Sequence, residues 1–276
     1  MRLAVTTTHV VDGARRARAA ELAARFSCPL LPRAAFARMA RDHDVDCFYV
    51  VRPEREELRT AAPPPTGAST HVQPGLMPTK LGEGLRHPLI RAVRGAVDAA
   101  DDPDAADVDS VFDGTLGLAN DAVHVAAVTG ARVVGCEGSL VLHALLEEGL
   151  PRIAASSEPW AEAAARITLT HGDSAEVLAR MADDSVDVVV LDPMMSRRKR
   201  SAPSFLLLRD FAVPDRASPR LLHEARRVAR RRVVLKLGKG APLPVNRSID
   251  FPRFVAGVHV TYHVHTKRRD AAWDPT

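Results

Sequence analysis

The chain is poor in cysteine and lysine, and it has no long apolar run. Its 276 residues include three widely separated cysteines, Cys28, Cys47 and Cys136. These are too few and too scattered for a disulfide framework or a zinc cluster, so a reducing cytoplasm and no metal site are expected. No apolar stretch approaches the length needed to span a bilayer, so no membrane contact is expected. The segment from Met1 to Val10 lacks an apolar core followed by a cleavage site, so no secretory signal is expected. There is no G-x-G-x-x-G segment, which disfavours a dinucleotide, and no phosphate-binding lysine loop, which disfavours a nucleoside triphosphate. Of 38 basic residues only five are lysine (Lys80, Lys199, Lys236, Lys239, Lys267). A net charge of +4 mildly favours a polyanionic partner. The abundance of arginine and alanine also fits a GC-rich genome, so local clusters carry more information than the total.

What is present reads as one large domain, or one domain plus a small one. Hydrophobic content of 46% and charged content of 26% are ordinary for a globular protein. Residues 1–59 read as a small α/β subdomain, with strands at Leu3–Thr7 and Cys47–Val51 and a helix over Ala14–Phe26. Residues 60–79, rich in Pro, Thr, Gly and Ser, read as a linker or long loop. Pro88–Ala99 reads as a helix, and strand and helix then alternate. Strands are expected at Val108–Phe112, Arg132–Cys136, Ile167–Thr170, Val186–Leu191 and Arg232–Leu237, with one or two more in Val255–Val264. Helices are expected at Ala119–Val128, Ser139–Leu150, Ser174–Met181 and Pro219–Ala229. Such alternation predicts a mostly parallel sheet with helices on both faces.

The most informative segment is Val186–Met195, where an apolar run ends abruptly in Asp192-Pro193. Proline cannot extend a central strand, so Asp192 falls at a strand's carboxyl end, where open α/β sheets hold ligands. A carboxylate beside the Pro193 carbonyl can accept two hydrogen bonds from an amino group. Three preceding strands end in acids as well. Asp113 opens the turn Asp113-Gly114-Thr115-Leu116-Gly117-Leu118-Ala119-Asn120-Asp121, whose glycines let the backbone approach a ligand at a helix N-terminus. Glu137 is placed to bind both hydroxyls of a ribose. Asp173, before Ser174, suits either an adenine amino group or the N-cap of the next helix. Four acids at successive strand ends fit S-adenosylmethionine lying across the sheet.

This array resembles the class I S-adenosylmethionine-dependent methyltransferases. More narrowly, it is similar to the family of the ribosomal small-subunit RNA guanine-N2 methyltransferase J and its uncharacterised relatives. The likeness rests on the Asp113–Asp121 turn, Glu137, Asp192-Pro193-Met194-Met195 followed by Lys199-Arg200-Ser201-Ala202, the strand Arg232–Lys236 with nearby prolines, and Gly82-Glu83-Gly84 before a helix. It covers roughly residues 80–265. It implies a Rossmann-like fold with a seven-stranded sheet, and residues 80–276 as the methyltransferase domain. It places cofactor contacts at Asp113, Gly117, Asn120, Asp121, Glu137, Gly138, Asp173, Ser174 and Asp192. It makes Asp192 and Pro193 the catalytic corner for an exocyclic amine of an RNA base, guanine N2 in small-subunit ribosomal RNA. Substrate contacts are expected at Met194, Met195, Arg197, Arg198, Lys199 and Arg200, a basic loop beside the catalytic turn that is suited to phosphates. Met195 stands where the family has an aromatic residue. Two rival readings remain: a methyltransferase for a small molecule or protein, and a non-catalytic RNA-binding protein that keeps the fold.

The remaining clusters read as structural. Arg226-Arg227 and Arg230-Arg231-Arg232 suit the negative end of a helix dipole. His259, His263 and His265 share one face of a strand by period-two spacing and read as an exposed polar face rather than a metal site.

Overall fold

In the computed structural model, the described residues are 1–8, 11–60, 71–72, 81–96, 105–193, 203–213, 217–244 and 249–267. They form two sheets. The first contains β1 (Leu3–Thr7), β2 (Leu30–Leu31), β3 (Cys47–Val51), β4 (Glu56–Thr60) and β5 (His71–Val72), in the order β2-β1-β3-β4-β5. Helices α1 (Gly13–Arg25) and α2 (Phe36–His43) belong to this N-terminal unit. Four of its elements, β2, α2, β4 and β5, are not expected from the sequence. In β4 the pair Glu56-Glu57 suggests a loop, yet both carboxylates are buried. Tyr49 and Arg18 hold Glu56, and Arg52 and Arg55 hold Glu57. β5 lies within the segment expected to be a linker and pairs with Leu58 and Arg59.

The second sheet has seven strands: β6 (Ser110–Asp113), β7 (Arg132–Glu137), β8 (Ile167–His171), β9 (Val186–Leu191), β10 (Ala229–Gly238), β11 (Arg253–Ala256) and β12 (Val260–Thr266). Their order is β11-β12-β10-β9-β6-β7-β8, and β12 runs antiparallel to both its neighbours. From β6 the chain winds outward through β7 to β8. It then returns to β9 and winds the other way to β10. The reversal falls between β6 and β9, and open α/β sheets bind ligands at the carboxyl ends beside such a switch.

The helices of this part are α3 (Pro88–Arg94), α4 (Asn120–Thr129), α5 (Leu140–Ala154), α6 (Ala161–Ala165), α7 (Ser174–Ala179), α8 (Pro203–Phe211) and α9 (Pro219–Val228). Strand alternation divides the core. Val188 and Val190 join the cluster under α3, α4 and α6, whereas Val189 and Leu191 join the cluster under α7 and α9. Burying each such side chain stabilises the fold by ~1.5–3 kcal/mol. With both faces covered, β9 reads as a continuous apolar run rather than an alternating one. A third cluster joins the two sheets: Val5, Leu22, Tyr49 and Leu58 pack with Leu142 and Leu145 of α5 and Leu207 of α8.

The arginine clusters serve the fold. Arg227 donates to the carbonyls of Leu178 and Met181, and Arg230 and Arg231 converge on Asp187. The histidine expectation is corrected. Asp250 and Phe251 lie against His265, which is buried with its Nδ1 on Asp250, while His259 sits in the bend before β12. No described helix is long and apolar enough to cross a membrane, and the described residues contain no cluster of metal-ligating side chains.

Candidate active site

Four strand ends converge at the switch. At the end of β6, Asp113 is buried and its carboxylate accepts the Thr115 N–H at 3.0 Å. Burial pushes its pKa up to about 7, with the nearby Asp121 and Asp192 charges adding to the rise against the Thr115 hydrogen bond and Lys236. The turn that follows is held by the Gly114 N–H on the Val190 carbonyl and the Leu116 N–H on the Cys136 carbonyl. A Cβ at Gly114 would lie 2.7 Å from Leu191 Cδ2, so a larger residue would force the buried leucine to shift. Gly117 and Ala119 both take the left-handed conformation, at φ 58° and 62°. The glycine adopts it freely and the alanine at a steric cost.

At the end of β7, the buried Glu137 carboxylate accepts the Gly117 N–H at 2.9 Å and the Ser139 N–H at 2.8 Å. Burial raises its pKa and these N–H bonds oppose the rise. Glu137 thus ties the β6 turn to the start of α5. Gly138 lies under Val213, whose Cγ2 would be 3.2 Å from an added Cβ, so the chain just past α8 comes against this strand end. At the end of β8, Asp173 is exposed and caps α7 through the Glu176 N–H at 3.0 Å. Ser174 is buried and donates to the Gly114 carbonyl, joining the β8 and β6 ends.

At the end of β9, the Asp192 N–H donates to Thr115 Oγ1 at 2.6 Å. Its side chain is 43% exposed and its Oδ2 lies 2.7 Å from Lys236 Nζ. Lys236 also reaches Asp121 Oδ2 at 2.5 Å. Burial alone would lower the Lys236 pKa, but Asp192 and Asp121 outweigh it and hold the ammonium well above its ordinary value. Pro193 is buried. The structure therefore brings together Asp113, Gly117, Asn120, Asp121, Glu137, Gly138, Asp173, Ser174, Asp192 and Pro193. Met194, Met195, Arg197, Arg198, Lys199 and Arg200 lie outside the described residues.

Two members of the site lie within the motifs of the family likeness but are assigned no role there. Thr115 is the hydroxyl that fixes the Asp192 backbone. Lys236 is a lone charge inside the apolar run Val233–Leu237, and that isolation was the available clue.

The Putative SAM-dependent methyltransferase family model matches residues 79–251. The chain belongs to this S-adenosylmethionine-dependent methyltransferase family. The Ribosomal RNA small subunit methyltransferase J of Chromohalobacter salexigens is 42% identical over 48% of this chain and 54% of that protein. The protein of the same name from Brucella anthropi is 37% identical over 56% of this chain and 71% of its own length. The Bacillus subtilis Uncharacterized protein YpiP is 31% identical over 68% of this chain and 70% of that one. The chain spans about half the length of several of the curated relatives it matches. Among solved structures, a SAM-dependent methyltransferase from Neisseria gonorrhoeae superposes with a TM-score of 0.60 at 21% identity over 95% of both chains, which shows a shared fold.

The cofactor of the family is S-adenosylmethionine, and the strand ends fit it. Asn120 Oδ1 is buried at the start of α4 without a hydrogen-bond partner, an acceptor placed beside the crevice. The left-handed turn at Gly117 and Ala119 brings backbone close to the same place. Acids rather than basic residues end β6, β7 and β9, which suits a cationic sulfonium ligand and not a polyphosphate.

Proposed function

We propose that the protein is an S-adenosylmethionine-dependent methyltransferase that modifies an exocyclic base amine of RNA, with guanine N2 of small-subunit ribosomal RNA in the cytoplasm as the substrate. The observation that carries this reading is the Asp192 corner. A half-exposed carboxylate stands at the open end of β9 beside the switch point, with its backbone held by Thr115 and its side chain by Lys236. The likeness to ribosomal RNA small subunit methyltransferases J supports RNA as the substrate.

When bound, the cofactor supplies a methyl group activated on a sulfonium. Asp113, Gly117, Asn120, Asp121, Glu137, Gly138, Asp173 and Ser174 form its cradle, with Glu137 at the ribose and Asp173 at the adenine. Asp192 accepts N–H hydrogen bonds from the amine. This draws the lone pair out of conjugation and aims it, so most of the rate gain is orientation. Its exposed carboxylate then relays the released proton to solvent. Met194, Met195 and Arg197–Arg200 contact the base and its phosphates. The chemistry belongs to residues 80–276, with the N-terminal sheet, which reaches Val72, packed against α5 and α8.

The test is mass spectrometry of nucleosides from small-subunit RNA incubated with the protein and cofactor, beside calorimetry with S-adenosylhomocysteine. New N2-methylguanosine together with micromolar ligand binding is the expected result. Binding without RNA methylation would move the substrate to a protein or small molecule. No binding at millimolar ligand would leave a non-catalytic RNA-binding protein.

A further inference from the structure

We propose that Lys236 is a positioning residue that acts through Asp192, fixing the acceptor carboxylate and tying it to the cofactor side through Asp121. The inference rests on the Asp192 reading above. β10 pairs with β9 so that Leu235 stands opposite Leu191, and Lys236 is therefore level with Asp192 as the chain leaves the sheet. Its ammonium reaches Asp192 Oδ2 at 2.7 Å and Asp121 Oδ2 at 2.5 Å, joining the end of β9 to the first turn of α4. Tyr262, its register partner on β12, is buried beside it.

Taking an ammonium and carboxylates out of water costs several kcal/mol per ion, and a well-packed apolar residue often serves stability as well. A strand that needed only filling here would continue the run Val233-Val234-Leu235. A single point charge between two carboxylates instead fixes where each one sits. A cation this close also favours the charged form of Asp192 beside the buried Asp113, the form that accepts hydrogen bonds and passes protons on. A corner already holding one cation favours a neutral amine such as a base nitrogen over a protonated aliphatic amine.

The test is a double-mutant cycle of K236M and D192N, assayed at saturating cofactor and RNA. Each single variant is expected to lose about a hundredfold in kcat, the scale of a misplaced reacting group. The double variant is expected to fall no more than about threefold below D192N, the sign of two residues acting as one. S-adenosylhomocysteine affinity should fall by much less than kcat in every variant. K236M with near-normal kcat overturns the proposal, and so does a double variant whose losses multiply. K236Q replaces K236M if the latter does not fold. A second readout needs no activity: in a carbon-13 NMR titration the Asp192 carboxyl of K236M, having lost the adjacent ammonium, should titrate higher than in the wild type. An unchanged titration sinks the role of Lys236 alone. A wild-type protein that binds ligand but methylates no RNA sinks the substrate reading and leaves this one standing.

Discussion

One strand carries an aspartate near each end, and the two have opposite fates. Asp187, near the start of β9, has a side chain 1% exposed, accepts the Asp109 and Ser110 N–H groups and the Ser110 hydroxyl, and is paired with Arg230 and Arg231. Asp192, just past the end of β9, is 43% exposed, and its carboxylate pairs with Lys236. At the closed end of the sheet, charges are used up in holding strands together. At the open end, carboxylates are held in place while at least one stays accessible. Arginine and backbone N–H groups finish the first job, and a lysine shared between two acids performs the second.

The largest effect that would sharpen this contrast is on catalysis. Asp192→Ala should lower kcat by at least about a hundredfold, while the thermal midpoint moves little because the side chain is half exposed. Near-normal turnover would erase the difference between the two ends. Asp187→Ala should do the reverse. It is expected to cost about 3 kcal/mol in urea unfolding, since three hydrogen bonds to a buried charge are lost and two arginines lose their partner. Its S-adenosylhomocysteine affinity, measured on folded protein, should match the wild type.

Asp113 gives a pH test. Its pKa rises from an ordinary 3.8 to about 7 in the fold. Between these values the native state keeps a proton that the unfolded chain has released. The contribution of this group to stability is therefore fully present below the lower value and declines as pH rises toward 7. Asp113→Asn should flatten that decline in urea midpoints taken from pH 5 to 7, and an unchanged slope would place the titration elsewhere. The smallest effect is at Asp173. Removing this N-cap with Asp173→Ala should cost about 1 kcal/mol of stability. A loss of at least about threefold in S-adenosylhomocysteine affinity would show that it also touches the cofactor. Unchanged affinity would leave it as a cap.

The large sheet was legible wherever its signals were local. The alternation from β6 to β10 follows from apolar runs separated by capped helices, and observed boundaries differ from the expected ones by a few residues. α6 and β4 escaped notice for different reasons. Ala161–Ala165 is too short to show a period, and Glu56-Glu57 is charged. β4 exists because Tyr49, Arg18, Arg52 and Arg55 come from elsewhere to satisfy its acids. The exposed histidine face failed for a similar reason, since period two names a face but not what covers it.

Sequence by itself determined that acids would end β6, β7 and β9, because a strand's end is marked locally by a glycine, a proline or a helix cap. It also determined the family, through the order and spacing of those ends. Tertiary structure alone decided which of the acids stay available. Asp187 and Asp192 are five residues apart on one strand and share a side-chain chemistry. What separates them is the company brought by other elements: Ser110, Arg230 and Arg231 at one end, Thr115 and Lys236 at the other. Burial and charge pairing are long-range, and no spacing within the chain encodes them.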